Sequence, residues 1–297
     1  MNTLSDRHRA MLDEMGIRTF QPPRCKAAPK ADPKADPKAA PARPAAAQTA
    51  LQAAPQIAPQ TAPKAAPIAP AAPAAPAAAA AIAQMDWPAL QAAVASCTAC
   101  PLAAGCRQSV FGAGHPQARW MIVGEAPGEQ EDRQGQPFVG PAGQLLDAML
   151  EAIGLSRQGE PGAAPLPATP HAAKTAAPQG VFIANVLKCR PPGNRAPQPA
   201  EIAQCAPFLR RQLELVQPAI ILALGRFAVQ SLLGSDEPIG RLRGRVHRYQ
   251  GIPVIVTYHP AYLLRNPPDK HRAWQDLCLA LQVARQSEAP ASDLPAK

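Results

Sequence analysis

The run WMIVG at Trp120–Gly124 decides the fold. It is short, uncharged and apolar throughout, and it reads as a buried strand. Three similar runs follow: VFIANVL at Val181–Leu187, AIILAL at Ala219–Leu224 and IPVIVT at Ile252–Thr257. Helical patterns separate them. Gly143–Ile153 places Leu145, Leu146, Met149 and Leu150 inward, and Pro199–Val216 is a second helix. Gly225 opens a third helix that runs to Leu233, and Asp269–Ala284 is the last, with Trp274, Leu277, Leu281 and Cys278 inward. Apolar strands alternating with helices predict an α/β fold, a three-layer αβα sandwich around a central four-stranded parallel sheet. Ligands in such folds sit beyond the carboxyl ends of the strands. Gly124–Gly128, Lys188–Pro192 and Tyr258–Leu264 all fall at those ends, which points to one shared site.

Outside this pattern the composition changes. The chain has 297 residues with 38 Pro, and most of the Pro lies between Cys25 and Gln84, where nearly everything is Ala, Pro or Lys. Such a segment has little large apolar surface to bury, so residues 25–84 are expected to be a disordered linker. Residues 85–286 form the expected folded domain, and residues 287–297 a disordered C-terminus. Ser156–Gly180 is rich in Pro, Ala and Gly and reads as a surface insertion. Residues 1–24 hold a short amphipathic segment with Met11, Leu12 and Met15 on one face, either a docking peptide or a frayed end.

The formal charge is +9, with an isoelectric point near 9.5, which suits a polyanionic partner. Met1–Arg9 is polar and does not resemble a secretory signal. The uncharged stretch Ala65–Met85 is broken by Pro and lacks Leu, Phe and Val, so no membrane contact is expected. The expected compartment is the cytosol. Composition excludes a collagen, a coiled coil and a small disulfide-stapled module.

Seven cysteines in a cytosolic chain read as thiols or metal ligands. Cys97 and Cys100 form C-x2-C, and Cys189 and Cys205 form C-x15-C. Four thiolates so spaced suit zinc or an iron–sulfur cluster. Cys106 competes as a fourth ligand by spacing. Cys25 lies in the tail and Cys278 on a core face. The alternative is a set of ordinary buried thiols.

Three ordered blocks now carry a resemblance: GEAPGEQEDRQGQPFVGPAG at Gly124–Gly143, VFIANVLKCRPPGNRAP at Val181–Pro197 and YHPAYLLR at Tyr258–Arg265. Together with the cysteines they resemble the family 4, iron–sulfur uracil-DNA glycosylases, over essentially all of Met85 to Ala284. The resemblance implies a monofunctional glycosylase that hydrolyses the N-glycosidic bond of uracil in DNA and leaves an abasic site. It implies a [4Fe-4S] cluster on Cys97, Cys100, Cys189 and Cys205, with zinc as the alternative. Such an enzyme takes the base out of the stack. Phe138 would then stack on it, against the plain alternative of a core aromatic. Asn185 would pair with the uracil edge, and His259 would donate to O2. Gly124, Ala126, Pro127 and Glu131 would line the base pocket, with Glu131 blocking the thymine methyl or else simply solvated. Glu125 is the carboxylate best suited to position water. The better-known family 1 enzymes carry an Asp in the corresponding turn, where this sequence has Ala126, so the motif leaves water activation open.

Arg190, Arg195, Arg265 and the Arg241–Arg248 stretch are candidates for phosphate contact with DNA, single- or double-stranded. The resemblance makes Leu263 and Leu264 candidates for an apolar wedge in the vacated space, with packing against the last helix as the alternative. The expected state is a monomer in the bacterial cytosol, associated with the nucleoid. MLDEMGIRTF near the N-terminus resembles the start of the psi subunit of bacterial DNA polymerase III, which implies a clamp-loader contact through residues 1–24. The alternative function is a damaged-DNA binding protein of the same fold, weak in turnover or trapping its product, for which His247 in RLRGRVHR would be the trapping side chain.

Overall fold

Seven strands form one sheet in the computed structural model, which describes residues 76–159 and 179–286. They are β1 (Ala113–Gly114), β2 (Trp120–Gly124), β3 (Leu155–Ser156), β4 (Gln179–Asn185), β5 (Ile220–Leu224), β6 (Val246–Tyr249) and β7 (Ile252–Thr257). The spatial order is β1-β4-β2-β5-β7-β6, with β3 also paired to β4. The four apolar runs become β4, β2, β5 and β7, all mutually parallel. These are the four strands expected, and the count differs only at the margins. β1 and β6 add antiparallel edges, and β3 adds a short parallel pairing. β1 and β3 are two residues each, too short to show a period. In β6 exposed and half-buried residues alternate, as in an edge strand with a single neighbour.

The sheet is covered on both faces by α1 (Pro76–Ala83), α2 (Trp87–Ala95), α3 (Glu129–Gln134), α4 (Pro141–Glu151), α5 (Pro199–Val216), α6 (Arg226–Leu233), α7 (Ile239–Leu242), α8 (Pro260–Arg265) and α9 (Lys270–Gln286). Successive side chains of a strand point to opposite faces, and the core divides accordingly. Trp120 and Ile122 pack with Leu146, Met149, Trp274 and Leu277 of α4 and α9. Met121 and Val123 pack with Leu90, Leu209, Leu213 and Val229 of α2, α5 and α6. This is the αβα sandwich.

Three boundaries differ from the sequence expectation. β4 begins at Gln179 and ends at Asn185, two residues earlier than VFIANVL suggests. The expected insertion starts and ends inside paired structure, because Ser156 sits opposite Gly180 in the β3–β4 register; residues 160–178 lie outside the described residues. The expected linker is also shorter. Residues 77–81 are five consecutive Ala, the strongest helix former, and they run within α1. α1 lies against α5, where Ile82 and Met85 join the core and Arg211 Nε donates to the Met85 carbonyl at 2.7 Å. The N-terminal amphipathic segment, Cys25, most of the linker and residues 287–297 lie outside the described residues.

Candidate active site

A cavity of about 680 Å³ opens at the carboxyl ends of the parallel strands. Phe138, Asn185 and His259, which come from three distant segments, all line it, and so do Glu125, Ala126, Pro127 and Glu131.

His259 lies two residues past the end of β7 and caps α8, and Pro260 occupies the first turn, where its missing N–H costs nothing. The Ala261 backbone N–H donates to His259 Nδ1 at 3.2 Å. Burial, then the positive charge of Arg265, pulls the imidazole pKa down to about 4, with Glu131 opposing. The ring is therefore neutral at pH 7, and its proton sits on Nε2. The cavity gains an N–H donor without a fixed positive charge. The ring stacks on Phe138, with centroids 5.5 Å apart and planes inclined by 30°.

Asn185 ends β4 and is 2% exposed. Among the described residues its Oδ1 has no hydrogen-bond partner. A buried polar atom left unpaired is costly, so this oxygen is poised for a donor on a ligand. Gly124 makes the arrangement possible. A Cβ there would lie 2.4 Å from Asn185 Oδ1 and 2.6 Å from Phe138 Cζ.

Glu131 neither floats in solvent nor simply walls the pocket. Its Oε1 accepts from the N–H groups of Val139 and Gly140 at 2.9 and 3.1 Å, and its Oε2 accepts from Gly128 N–H at 3.1 Å. The carboxylate staples the GEAPG turn to the loop that carries Phe138. Gly128-x-x-Glu131 at the head of α3 is a capping pattern, which is the signal in the sequence for this role. Burial raises the pKa of Glu125, and Arg226 counters it, so the carboxylate is held in a partly desolvated, cationic setting.

The sequence model of the uracil DNA glycosylase superfamily matches residues 111–278, which include all four parallel strands and the cavity. The chain belongs to the uracil DNA glycosylase superfamily. It is similar to a type-4 uracil-DNA glycosylase of Thermotoga maritima, with 40% identity over 181 residues, covering 60% of this chain and 83% of that one. The type-4 enzyme of Archaeoglobus fulgidus is 40% identical over 182 residues, 59% of this chain and 81% of the relative. That of Pyrobaculum aerophilum is 36% identical over 203 residues, 66% and 93%.

Not every expected DNA contact of this superfamily member is free to make one. Leu263 is fully buried in the core under α8, so the wedge expectation fails for it; one position along the helix, Leu264 is 43% exposed. Arg265 lines the cavity. Arg195 forks onto Glu201 at 2.5 and 3.0 Å, and Arg190 Nε donates to Asn194 Oδ1 at 2.7 Å. In the Arg241–Arg248 stretch Arg241 lies in α7 and Arg248 in β6, while Arg243 and Arg245 sit in the turn between them, and Arg243 pairs with fully buried Asp276. His247 bonds the Leu242 carbonyl through Nε2 and does not line the cavity.

Cys97, Cys100, Cys189 and Cys205 surround a second, small cavity of about 20 Å³ with Leu187, Lys188 and Phe208. Among the described residues no group of three or more His, Cys, Asp or Glu is arranged to hold a metal ion. Burial pushes the Cys205 thiol up to about 11, and its Sγ accepts from Lys188 N–H at 3.3 Å. Cys106 lines a separate open depression together with Cys97 and Cys189, and its interaction with Cys189 lowers its thiol pKa. Lys188 is buried, and its ammonium donates to the Asn185 carbonyl at 2.9 Å and to Gln212 Oε1 at 2.6 Å.

Two lining residues, Arg226 and Ile239, lie outside every stretch that the sequence marks for the site, and Tyr258 and Tyr262 lie inside Tyr258–Leu264 without a role of their own. The rule that ligands sit at strand carboxyl ends could have found Arg226, which follows β5 by two residues. Tyr258 and Tyr262 stack at 5.0 Å, a pairing one helical turn apart that the quoted YHPAYLLR block already contains.

Proposed function

We propose that the cavity performs uracil-DNA glycosylase chemistry, hydrolysing the N-glycosidic bond of uracil in DNA and leaving an abasic site for repair. The observation that carries this is the meeting of Phe138, Asn185 and His259 around one cavity. The flipped base stacks on Phe138. The orphaned Oδ1 of Asn185 accepts from uracil N3–H, and the amide NH2 donates to O4; cytosine offers the opposite pattern at that edge and leaves both groups unpaired. As the bond from C1′ to N1 breaks, its electron pair moves into the ring, and His259 Nε2–H donates to O2, where charge builds. A neutral donor pre-aimed at that atom stabilises the leaving anion at no reorganisation cost. Water adds to C1′, and Glu125, beside Arg226, orients it and takes its proton. No lysine lines the cavity among the described residues, and Lys188 Nζ is occupied by three acceptors, which supports simple hydrolysis without strand cleavage. Leu264 supplies the wedge and Arg265 a phosphate contact.

The donor chemistry at the four-thiol cavity supports a [4Fe-4S] cluster as its occupant. Its donors are all soft sulfurs, and the Lys188 N–H bond to Cys205 is the kind that cluster thiolates accept. Bound there, a cluster would supply a covalent cross-link and no redox step. Cys97 and Cys100 would thereby tie the segment after α2 to the end of β4. A zinc ion is the competing occupant; absorbance near 400 nm and the iron content separate the two. No helix among the described residues is long and apolar enough to cross a membrane, and a cytosolic repair enzyme fits that.

The test is incubation with a uracil-containing oligonucleotide, followed by hot alkali. Strand scission at the uracil position is expected, and an intact strand overturns the assignment.

A further inference from the structure

Phe138 is one of four non-glycine residues at positive φ among the described residues, with φ of 55°. That conformation is costly for a bulky residue and persists only where its surroundings impose it. Two contacts impose it here. Gly143 packs so closely that a Cβ would fall 1.7 Å from the Phe138 carbonyl oxygen. On the same carbonyl, Arg157 Nη2 donates at 2.9 Å, while Nη1 donates to the preceding carbonyl of Pro137 at 2.8 Å. The guanidinium is itself fixed by Asp147 of α4, which accepts from Nε and Nη2 at 2.9 and 2.7 Å. One planar fork thus spans two consecutive carbonyls and a carboxylate, which a lysine head cannot reproduce.

Arg157 has a second connection. It follows β3 immediately, and β3 pairs with the first residues of β4, the strand that ends at Asn185. The residue that sets the Phe138 backbone is therefore built onto the strand that carries the base-reading amide.

We propose that Arg157 is a positioning residue for substrate recognition: its fork on the Pro137 and Phe138 carbonyls, anchored by Asp147, holds the Phe138 ring in register with Asn185 so that an extruded uracil can stack. Arg157 touches no substrate. The proposal rests on the glycosylase assignment and deepens it.

The test is a double-mutant cycle on a uracil-containing single strand. Arg157→Met keeps the apolar stem and removes the fork. It is expected to raise KM about tenfold, what the loss of a base–aromatic stack costs, while kcat stays within about threefold. Arg157→Lys should behave like Arg157→Met. In a Phe138→Ala background, Arg157→Met should add nothing further, because the ring it positions is gone. If the two effects multiply, or if Arg157→Met matches the unmodified protein, the proposal is overturned. Should Arg157→Met fail to give a cooperative thermal transition, Asp147→Asn serves in the same cycle. It frees the guanidinium from a half-exposed partner and should raise KM in the same direction, again only when Phe138 is present; a KM unchanged by Asp147→Asn overturns the proposal. An unmodified chain that leaves uracil in place sinks the glycosylase assignment and this inference with it. An active chain with multiplicative effects sinks this inference alone.

Discussion

The Ala261 backbone N–H donates to His259 Nδ1 across 3.2 Å, so the turn that starts α8 selects the tautomer that the chemistry uses. With the imidazole pKa near 4, activity should show no histidine transition around pH 6.5. A pH–rate profile tests this. A limb centred near 6.5 that disappears in His259→Gln would contradict the neutral donor. His259→Ala should lower kcat on the order of a hundredfold, the effect of deleting one aimed donor.

The same depressed pKa makes a stability prediction. Below the unfolded-state value of about 6.5 the unfolded chain binds a proton that folded His259 refuses. The contribution is complete above pH 6.5 and is lost as the pH falls towards 4, up to about 3 kcal/mol. Urea unfolding at pH 7 and pH 4.5 should show a smaller difference in His259→Gln than in the unmodified chain.

Asn185→Ala should separate stability from activity. It deletes a buried oxygen without a partner, so the thermal midpoint should hold or rise, while uracil release falls on the order of a hundredfold. A large fall in thermal midpoint would mean that the amide is part of the scaffold instead.

Gly124→Ala should do the opposite and damage the pocket through packing. The added methyl meets Asn185 Oδ1 and Phe138 Cζ inside contact distance. Overpacking of this kind costs about 1–3 kcal/mol, and both recognition groups must shift. Denaturant midpoints and uracil release should fall together.

Cys205→Ser and Cys189→Ser should each remove absorbance near 400 nm and lower the thermal midpoint, whereas Cys278→Ser, outside the thiol cavity, should do neither. Retained absorbance in Cys189→Ser would point to Cys106, which lines the same depression as Cys189, as a substitute ligand.

The parallel sheet was legible because β2 and β5 are unbroken apolar runs, and burial on both faces demands that composition. α3 was not legible. Its sequence EQEDRQ has no apolar stripe, since the helix serves to deliver Glu131 and buried Asp132 rather than to cover the core. The three central site residues were readable from local blocks. Arg157 was not, because its partners lie about twenty residues away and no spacing rule links a guanidinium to two distant carbonyls. Leu263 and Leu264 are neighbours that one apolar pair could not rank. Only the phase of α8 against the core sends the first inward and the second out.

The pairing of Ser156 with Gly180 leaves the chain between them leaving and returning at adjacent points of a rigid frame. Replacing that span with a shorter or longer one changes closure entropy only slowly with length. Provided Arg157 is kept, a fluorophore, an affinity tag or a whole guest module could be spliced in between these two points, as a port for a reporter that leaves catalysis intact.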